Sequence, residues 1–144
     1  MDWNGGLVAL LSGLLAQAGK VAWEAAHGRW RPLLFFANGG MPSSHAATVT
    51  TLALLVRRAD GAGSAAFSLA LVFGVFVLFE ATGLRQEMGK QARLLNDLRE
   101  ALHEGRRLPG ERLRELVGHT WGEVAGGVVA GFAGYFLLRG LVAP

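Results

Sequence analysis

The chain contains no cysteine. That removes disulfides, thiolate nucleophiles, zinc fingers and iron–sulfur clusters at once. Charge is also scarce: Asp, Glu, Lys and Arg make up 17% of 144 residues, against about 25% in an ordinary soluble domain. The extreme N-terminus lacks Lys and Arg and carries Asp2. Leu14-Leu15-Ala16-Gln17-Ala18 looks like a signal-peptide cleavage region, but a basic n-region is missing, so an uncleaved first helix is expected. What the chain has in quantity is apolar surface, with 51% hydrophobic residues and a mean hydropathy of +0.33. Four apolar blocks separated by short polar gaps exclude disorder. The length suits one domain, residues 1–144. The net charge of +3 and pI of about 10.2 point to cytoplasmic loops and anionic headgroups rather than nucleic acid.

The blocks run from about Leu7 to Trp23, Ser44 to Val56, Ala65 to Phe79 and Val124 to Val142. A bilayer span takes roughly 20 apolar residues, about 17 at the least. The third and fourth blocks come close alone, whereas the first two need their polar ends in the interface. A soluble bundle would need a polar face on each helix, and the third block has none before Glu80. Between Gly83 and Thr120 the character changes. Leu84, Met88, Leu95, Leu98 and Leu102 recur at helical spacing among Arg, Lys, Gln and Asp, which reads as an amphipathic helix on the membrane surface or on the bundle. Gly105 ends it, Pro109-Gly110 turns the chain, and a short helix is expected from Glu111 to Val117. The expected architecture is an all-α integral membrane helical bundle of about four transmembrane helices plus an interfacial amphipathic helix.

Four spans would place loops 24–43 and 80–123 on one side, with loop 57–63 and both termini on the other. The first side then carries ten Lys and Arg, the second Arg57, Arg58 and Arg139. The positive-inside rule puts the first side in the cytoplasm, in a cell inner membrane. Every candidate polar group converges on that face. His45 precedes the second block in Gly39-Gly40-Met41-Pro42-Ser43-Ser44-His45, and His119 precedes the fourth in Gly118-His119-Thr120-Trp121-Gly122-Glu123. Lys20 and Arg29 close the first block there, and Arg85 the third.

Ser43 or Ser44 can cap a helix whose N-terminus forms an anion site, with His45 in its first turn able to deliver a proton. The plainer reading is a capped membrane helix with an interfacial histidine. His119 and Glu123, at i,i+4, can meet on one helix. A carboxylate on one ring nitrogen leaves the other free to attack, although the pair could also simply cap the helix start. They could ligate a metal, but surrounding Arg and Lys would repel a cation, so no metal is expected. Lys20 lies inside an apolar stretch, where an ionisable group is a functional hypothesis by default. Lys20, Arg29, Arg31, Arg85, Arg112 and Arg114 are the available cations; singly each reads as a snorkelling anchor, together they suit a phosphate. Two histidines, a carboxylate and several cations suit phosphoryl transfer through a histidine nucleophile.

These residues carry a resemblance. The 39–45 segment, Glu80-Ala81-Thr82-Gly83-Leu84-Arg85 with Gly89, Gln91-Ala92 and Leu95-Asn96, and Leu116-Val117-Gly118-His119-Thr120 with Glu123-Val124 resemble the divergent branch of the type 2 phosphatidic acid phosphatase / vanadium haloperoxidase superfamily, over about Leu7 to Leu138. The resemblance implies a lipid phosphate or isoprenoid diphosphate phosphatase that needs no metal or other cofactor and works through a phosphohistidine. It implies His45 as acid, His119 as nucleophile, Glu123 as its orienter, and Lys20 and Arg29 on phosphate. The superfamily patterns are Lys-x6-Arg-Pro, Pro-Ser-Gly-His and Ser-Arg-x5-His-x3-Asp. Here Lys20 and Arg29 are spaced Lys-x8-Arg, with Arg31-Pro32 competing, and Pro-Ser-Ser-His replaces the second pattern. No Ser-Arg precedes His119: Arg114 is one residue too close, and Arg85 is the other source of that charge. A degenerate relative that binds phosphorylated lipid or acts as a scaffold, and a small transporter or channel subunit, are the alternatives. Finally, Gly122, Gly126, Ala130 and Gly134 recur every four residues, a small-residue ridge for packing inside the bundle or for a homodimer.

Overall fold

A computed structural model describes residues 3–30, 32–36, 40–102, 113 and 118–142. Among these there are only helices: α1 (Gly5–Ala26), α2 (Ser44–Asp60), α3 (Ala65–Thr82), α4 (Leu84–Ala101) and α5 (Trp121–Leu138), with short 3₁₀ turns at Pro32–Phe36 and Arg139–Leu141. Of the expected helix at 111–117 only Leu113 is described, and it is not helical; the other residues of that stretch and the stop at Gly105 lie outside the described residues.

The helices bury their small residues and expose their large ones. The inner stripe of α1 is Gly5, Val8, Ala9, Ser12, Gly13, Ala16 and Lys20, whereas Leu7, Leu10, Leu11, Leu14 and Leu15 face outward. In α3 only Gly74, Ala81 and Thr82 are buried, while Leu69, Phe73, Phe76 and Phe79 are exposed. In water this arrangement would forfeit its main driving force. In a bilayer the tails solvate the leucines, and small residues let backbones approach. The chain is therefore an integral membrane helical bundle.

Three stretches are long and apolar enough to cross a membrane: Gly5–Ala26, Ala65–Glu100, whose apolar part is α3, and Trp121–Leu141. The expected fourth span, α2, is slightly shorter and distinctly more polar than these three. Its 17 residues rise about 25 Å, but they include His45, Thr48, Thr50 and Thr51. It tolerates these because α1, α3 and α5 all pack against it, and Ala46, Ala47 and Thr51 are wholly buried.

α1 and α2 are antiparallel, and α5 runs parallel to α2. At one end Asn4 Nδ2 donates to the Leu141 carbonyl at 3.1 Å and Arg58 Nη1 to the Arg139 carbonyl at 2.6 Å. Val8, Leu55 and Val142 cluster there with Tyr135 and Leu138. At mid-depth the Thr51 hydroxyl donates to the Gly131 carbonyl at 2.9 Å and meets Ser12 Oγ at 2.8 Å, joining three helices. The α2–α3 hairpin turns on Gly61, whose φ of +86° suits glycine, and Ser64 caps α3 by accepting from Phe67 N at 3.0 Å.

The small-residue ridge of α5 packs inward. A methyl group on Gly131 would stand 2.6 Å from Thr50 Cβ and 2.8 Å from the Ala47 carbonyl oxygen. One on Gly134 would collide with Ser12 Oγ, and one on Gly126 would meet Met41 Cε at 2.8 Å. Gly127, Gly131 and Gly134 thus pack against α2 and α1, and Gly126 against Met41; Gly122 is exposed.

α4 has three faces. Gly89, Ala92 and Asn96 are buried; Leu84, Met88, Leu95, Leu98 and Leu102 form an exposed apolar strip; Lys90, Arg93, Asp97 and Glu100 form the polar side. This is the expected amphipathic helix, although α4 ends at Ala101, with Leu102 as its C-cap, rather than running to Gly105. Asn96 also binds Leu113 twice, accepting from its N–H at 3.0 Å and donating to its carbonyl at 2.9 Å.

Gly131→Ala is expected to destabilise the bundle by roughly 1–3 kcal/mol, since backbone and Cβ atoms rather than flexible tips block the added methyl. Gly19→Ala, where nothing lies within 4 Å, should leave melting in detergent unchanged or slightly raised. Equal melting temperatures for both variants would contradict the packing described.

Candidate functional site

At the end opposite the termini, three helices begin beside one another. α2 starts at Ser44 and α5 at Trp121. The Ser43 N–H donates to the Glu123 carbonyl at 3.0 Å, linking the two starts through backbone. α4 begins after Gly83, and its Gln86 Nε2 donates to the His119 carbonyl at 2.7 Å. Each N-terminus carries the positive pole of its helix, so a small region receives three of them.

His119 precedes α5 and is 3% exposed. Its backbone is held on both sides: the N–H donates to the Ala81 carbonyl at 2.9 Å, and the carbonyl accepts from Gln86. Its Nδ1 lies 3.2 Å from Glu123 Oε2. The same Oε2 accepts the Thr120 N–H at 3.0 Å, while Thr120 Oγ1 accepts the Glu123 N–H at 3.2 Å. Glu123 therefore closes a capping box and orients His119 with one oxygen. A carboxylate on Nδ1 favours the tautomer protonated there and leaves Nε2 bare.

His45, in the first turn of α2 and half-buried, stands beside it. The two ring centroids are 6.2 Å apart with planes at 65°. Ser43 is wholly buried and caps α2, its Oγ accepting the Ala46 N–H at 3.3 Å. Ser44 is the first helical residue, and its carbonyl accepts from Thr48 Oγ1 at 3.0 Å. Lys20 is 5% exposed. Its Cδ lies 3.9 Å from the position a Cβ on Gly40 would take. A buried ammonium needs an opposite charge within reach, and Glu123 stands at the same end of the bundle.

The structure therefore brings His45, His119, Glu123, Ser43, Ser44 and Lys20 to one place. Arg29 goes elsewhere: Nε and Nη2 bind Glu24 at 2.8 and 3.0 Å, in an exposed pair at the end of α1. Arg85 is the second residue of α4, with its side chain outside the described residues. Arg31, Arg112 and Arg114 also lie outside them. Among the described residues no group of three or more His, Asp and Glu gathers as a metal site.

Three contributors were not assigned from sequence. Thr120 had a signal, since Thr-x-x-Glu is a capping-box spacing. Gln86 and the Ala81 carbonyl had none, because they act on backbone groups of a residue more than thirty positions away. Trp23, Trp30 and Trp121 are exposed at this end, the position of an interfacial aromatic belt.

The family described as "Divergent PAP2 family" matches residues 4–134. A Bacillus subtilis (strain 168) protein, "Uncharacterized membrane protein YuiD", is 36% identical over 109 residues, covering 68% of this chain and 69% of that protein. No solved structure matches significantly.

Glu123→Gln is expected to keep the bundle folded while mixing the His119 tautomers, because an amide can offer either an acceptor or a donor to Nδ1. Nitrogen NMR of the imidazole, taken where the ring is neutral, should show one dominant tautomer in the parent and two in the variant. Identical spectra would sever the orienting role from Glu123.

Proposed function

We propose that this chain, which belongs to the divergent PAP2 family, is a metal-independent phosphatase of phosphorylated lipids or isoprenoid diphosphates. Its site would lie at the cytoplasmic interface of the cell inner membrane. The observation that carries this reading is the meeting of His45 with the His119–Glu123 pair where three helices begin. A centroid separation of 6.2 Å puts both rings within reach of a single phosphoryl group.

In the proposed first step the bare Nε2 of His119 attacks phosphorus. The bond from phosphorus to the leaving oxygen breaks, and protonated His45 gives that oxygen its proton. A phosphohistidine and the dephosphorylated lipid result. Water then attacks phosphorus, His45 takes its proton, and the N–P bond breaks to release inorganic phosphate. Glu123 stabilises the positive ring between the two steps. Lys20, the first turns of α2 after Ser43 and Ser44, and the cations Arg85 and Arg114 would hold the equatorial oxygens. Arg29, held by Glu24, is left out of this set.

Membrane position supports a lipid substrate. Exposed tryptophans at the site end and the outward leucines of α4 favour a headgroup depth for the histidines. The excess of Lys and Arg in the loops of that end supports the cytoplasmic assignment.

Purified protein in EDTA should release phosphate from phosphatidate, phosphatidylglycerophosphate or an isoprenoid diphosphate. His119→Ala should reduce release by about 10³-fold or more. The pH profile should be bell-shaped, since one histidine must be neutral and the other protonated. Release that persists in the His119 variant, or stops in EDTA, would refute the mechanism. No release from any of these lipids, with lipid binding retained, would favour a non-catalytic binder.

A further inference from the structure

The opposite end of the bundle carries a feature that the phosphatase reading does not use. Arg57 and Arg58 end α2, Arg139 follows α5, and these are the cations of that end. All three line one cleft of about 420 Å³, with Tyr135 and Phe136 as its other wall. Arg139 stacks 5.2 Å from the Phe136 centroid and 6.0 Å from that of Tyr135. Arg58 is held by its bond to the Arg139 carbonyl. No carboxylate pairs with any of the three among the described residues, including Asp60 one turn beyond Arg57. Three arginines facing one cleft without a counter-charge repel one another unless an anion joins them.

The cleft continues inward. Leu54, Arg57 and Phe132 also line a second, apolar groove of about 200 Å³ between α2 and α3, with Val49, Phe67, Leu71, Gly74 and Leu78 along it. From Val49 to Arg57 the groove follows α2 for about 12 Å, and from Phe67 to Leu78 it follows α3 for about 16 Å. One leaflet of hydrocarbon is about 15 Å deep. A cationic mouth at the surface thus opens into an apolar channel one leaflet long.

The geometry points to a binding site for one anionic phospholipid, drawn from the leaflet opposite the histidines. Its phosphate would sit among Arg57, Arg58 and Arg139, and one acyl chain would lie along Val49, Gly74 and Leu78. Guanidinium groups match phosphate oxygens in pairs, and basic pockets at helix ends hold anionic headgroups. A second copy of the chain fits poorly, because it would bring three more arginines against these. A free phosphate would leave the apolar groove empty. This inference stands independently of the phosphatase proposal.

The test uses the full-length protein in mild detergent, with retained lipid counted by native mass spectrometry and stability followed by thermal melting. Phosphatidylglycerol should be retained at least tenfold better than phosphatidylcholine and should raise the melting temperature. Inorganic phosphate at equal concentration should not raise it. Arg57→Gln with Arg139→Gln should weaken retention about tenfold, whereas Arg57→Lys should keep most of it. Gly74→Leu should also weaken retention: its Cβ meets Val49 only at 3.6 Å, an ordinary contact, and the rest of the side chain enters the groove. His119→Ala should retain the lipid normally. Equal retention of the two lipids, undiminished retention in the double variant, or stabilisation by free phosphate equal to that by lipid would each overturn the proposal. If the double variant fails to fold, the two-lipid comparison and Gly74→Leu decide it.

Discussion

The close parallel approach of α2 and α5 is the constraint on which the rest depends. It sets α5 glycines against backbone and small side chains: Gly127 against the Ser43 carbonyl, Gly131 against the Ala47 backbone, and Gly134 against the side chains of Thr51 on α2 and Ser12 on α1. Side chains at these positions would push the helices apart and break the Ser43–Glu123 backbone bond. That bond aligns two helix starts, and the alignment puts His45 beside His119. In a bilayer, where burial of apolar groups gives helices no preference for one another over lipid, such approach relies on dispersion and on the hydroxyl contacts of Ser12 and Thr51.

The same logic accounts for what could be read in the sequence. α1, α3 and α5 are legible because lipid-facing residues must be apolar over a bilayer's length. α4 is legible because its strip recurs at helical spacing on a polar background. α2 is harder, since other helices rather than lipid surround it and its threonines and histidine incur little penalty. Its crossing is expected only if its polar ends sit in the interface. Glu123 and His119 are four residues apart, so their meeting was local and legible. His45 and His119 are seventy-four residues apart, and their meeting is signalled only by the shared membrane face and by the family resemblance; the distance is a tertiary fact. Gln86, which acts on a main-chain carbonyl, left no trace in the pattern. Arg29 shows the reverse case: a cation in a plausible position took the nearer partner, Glu24, five residues earlier on the same turn of chain.

The two ends of the bundle are built differently. At the histidine end α2, α4 and α5 start, exposed tryptophans gather and Lys20 is buried. At the other end α2 and α5 finish, with three arginines and the single carboxylate of Asp60 among the described residues of those two helix ends. Helix termini explain part of this, since cations are favoured at the C-terminal pole and anions at the N-terminal pole. α2 and α5 run parallel and add at each end, while the antiparallel α1 and α3 offset part of the effect.

Glu123 Oε2 accepts both from the Thr120 N–H and, through Nδ1, from His119. One atom is thus shared between a helix terminus and an imidazole. Helix ends fray and re-form on submicrosecond to microsecond timescales, and each fraying of this first turn releases the ring along with it. The population of oriented His119 then follows the melting equilibrium of a single turn. Substitutions that merely stiffen the start of α5 would change how much of the time the imidazole is aimed, without touching it.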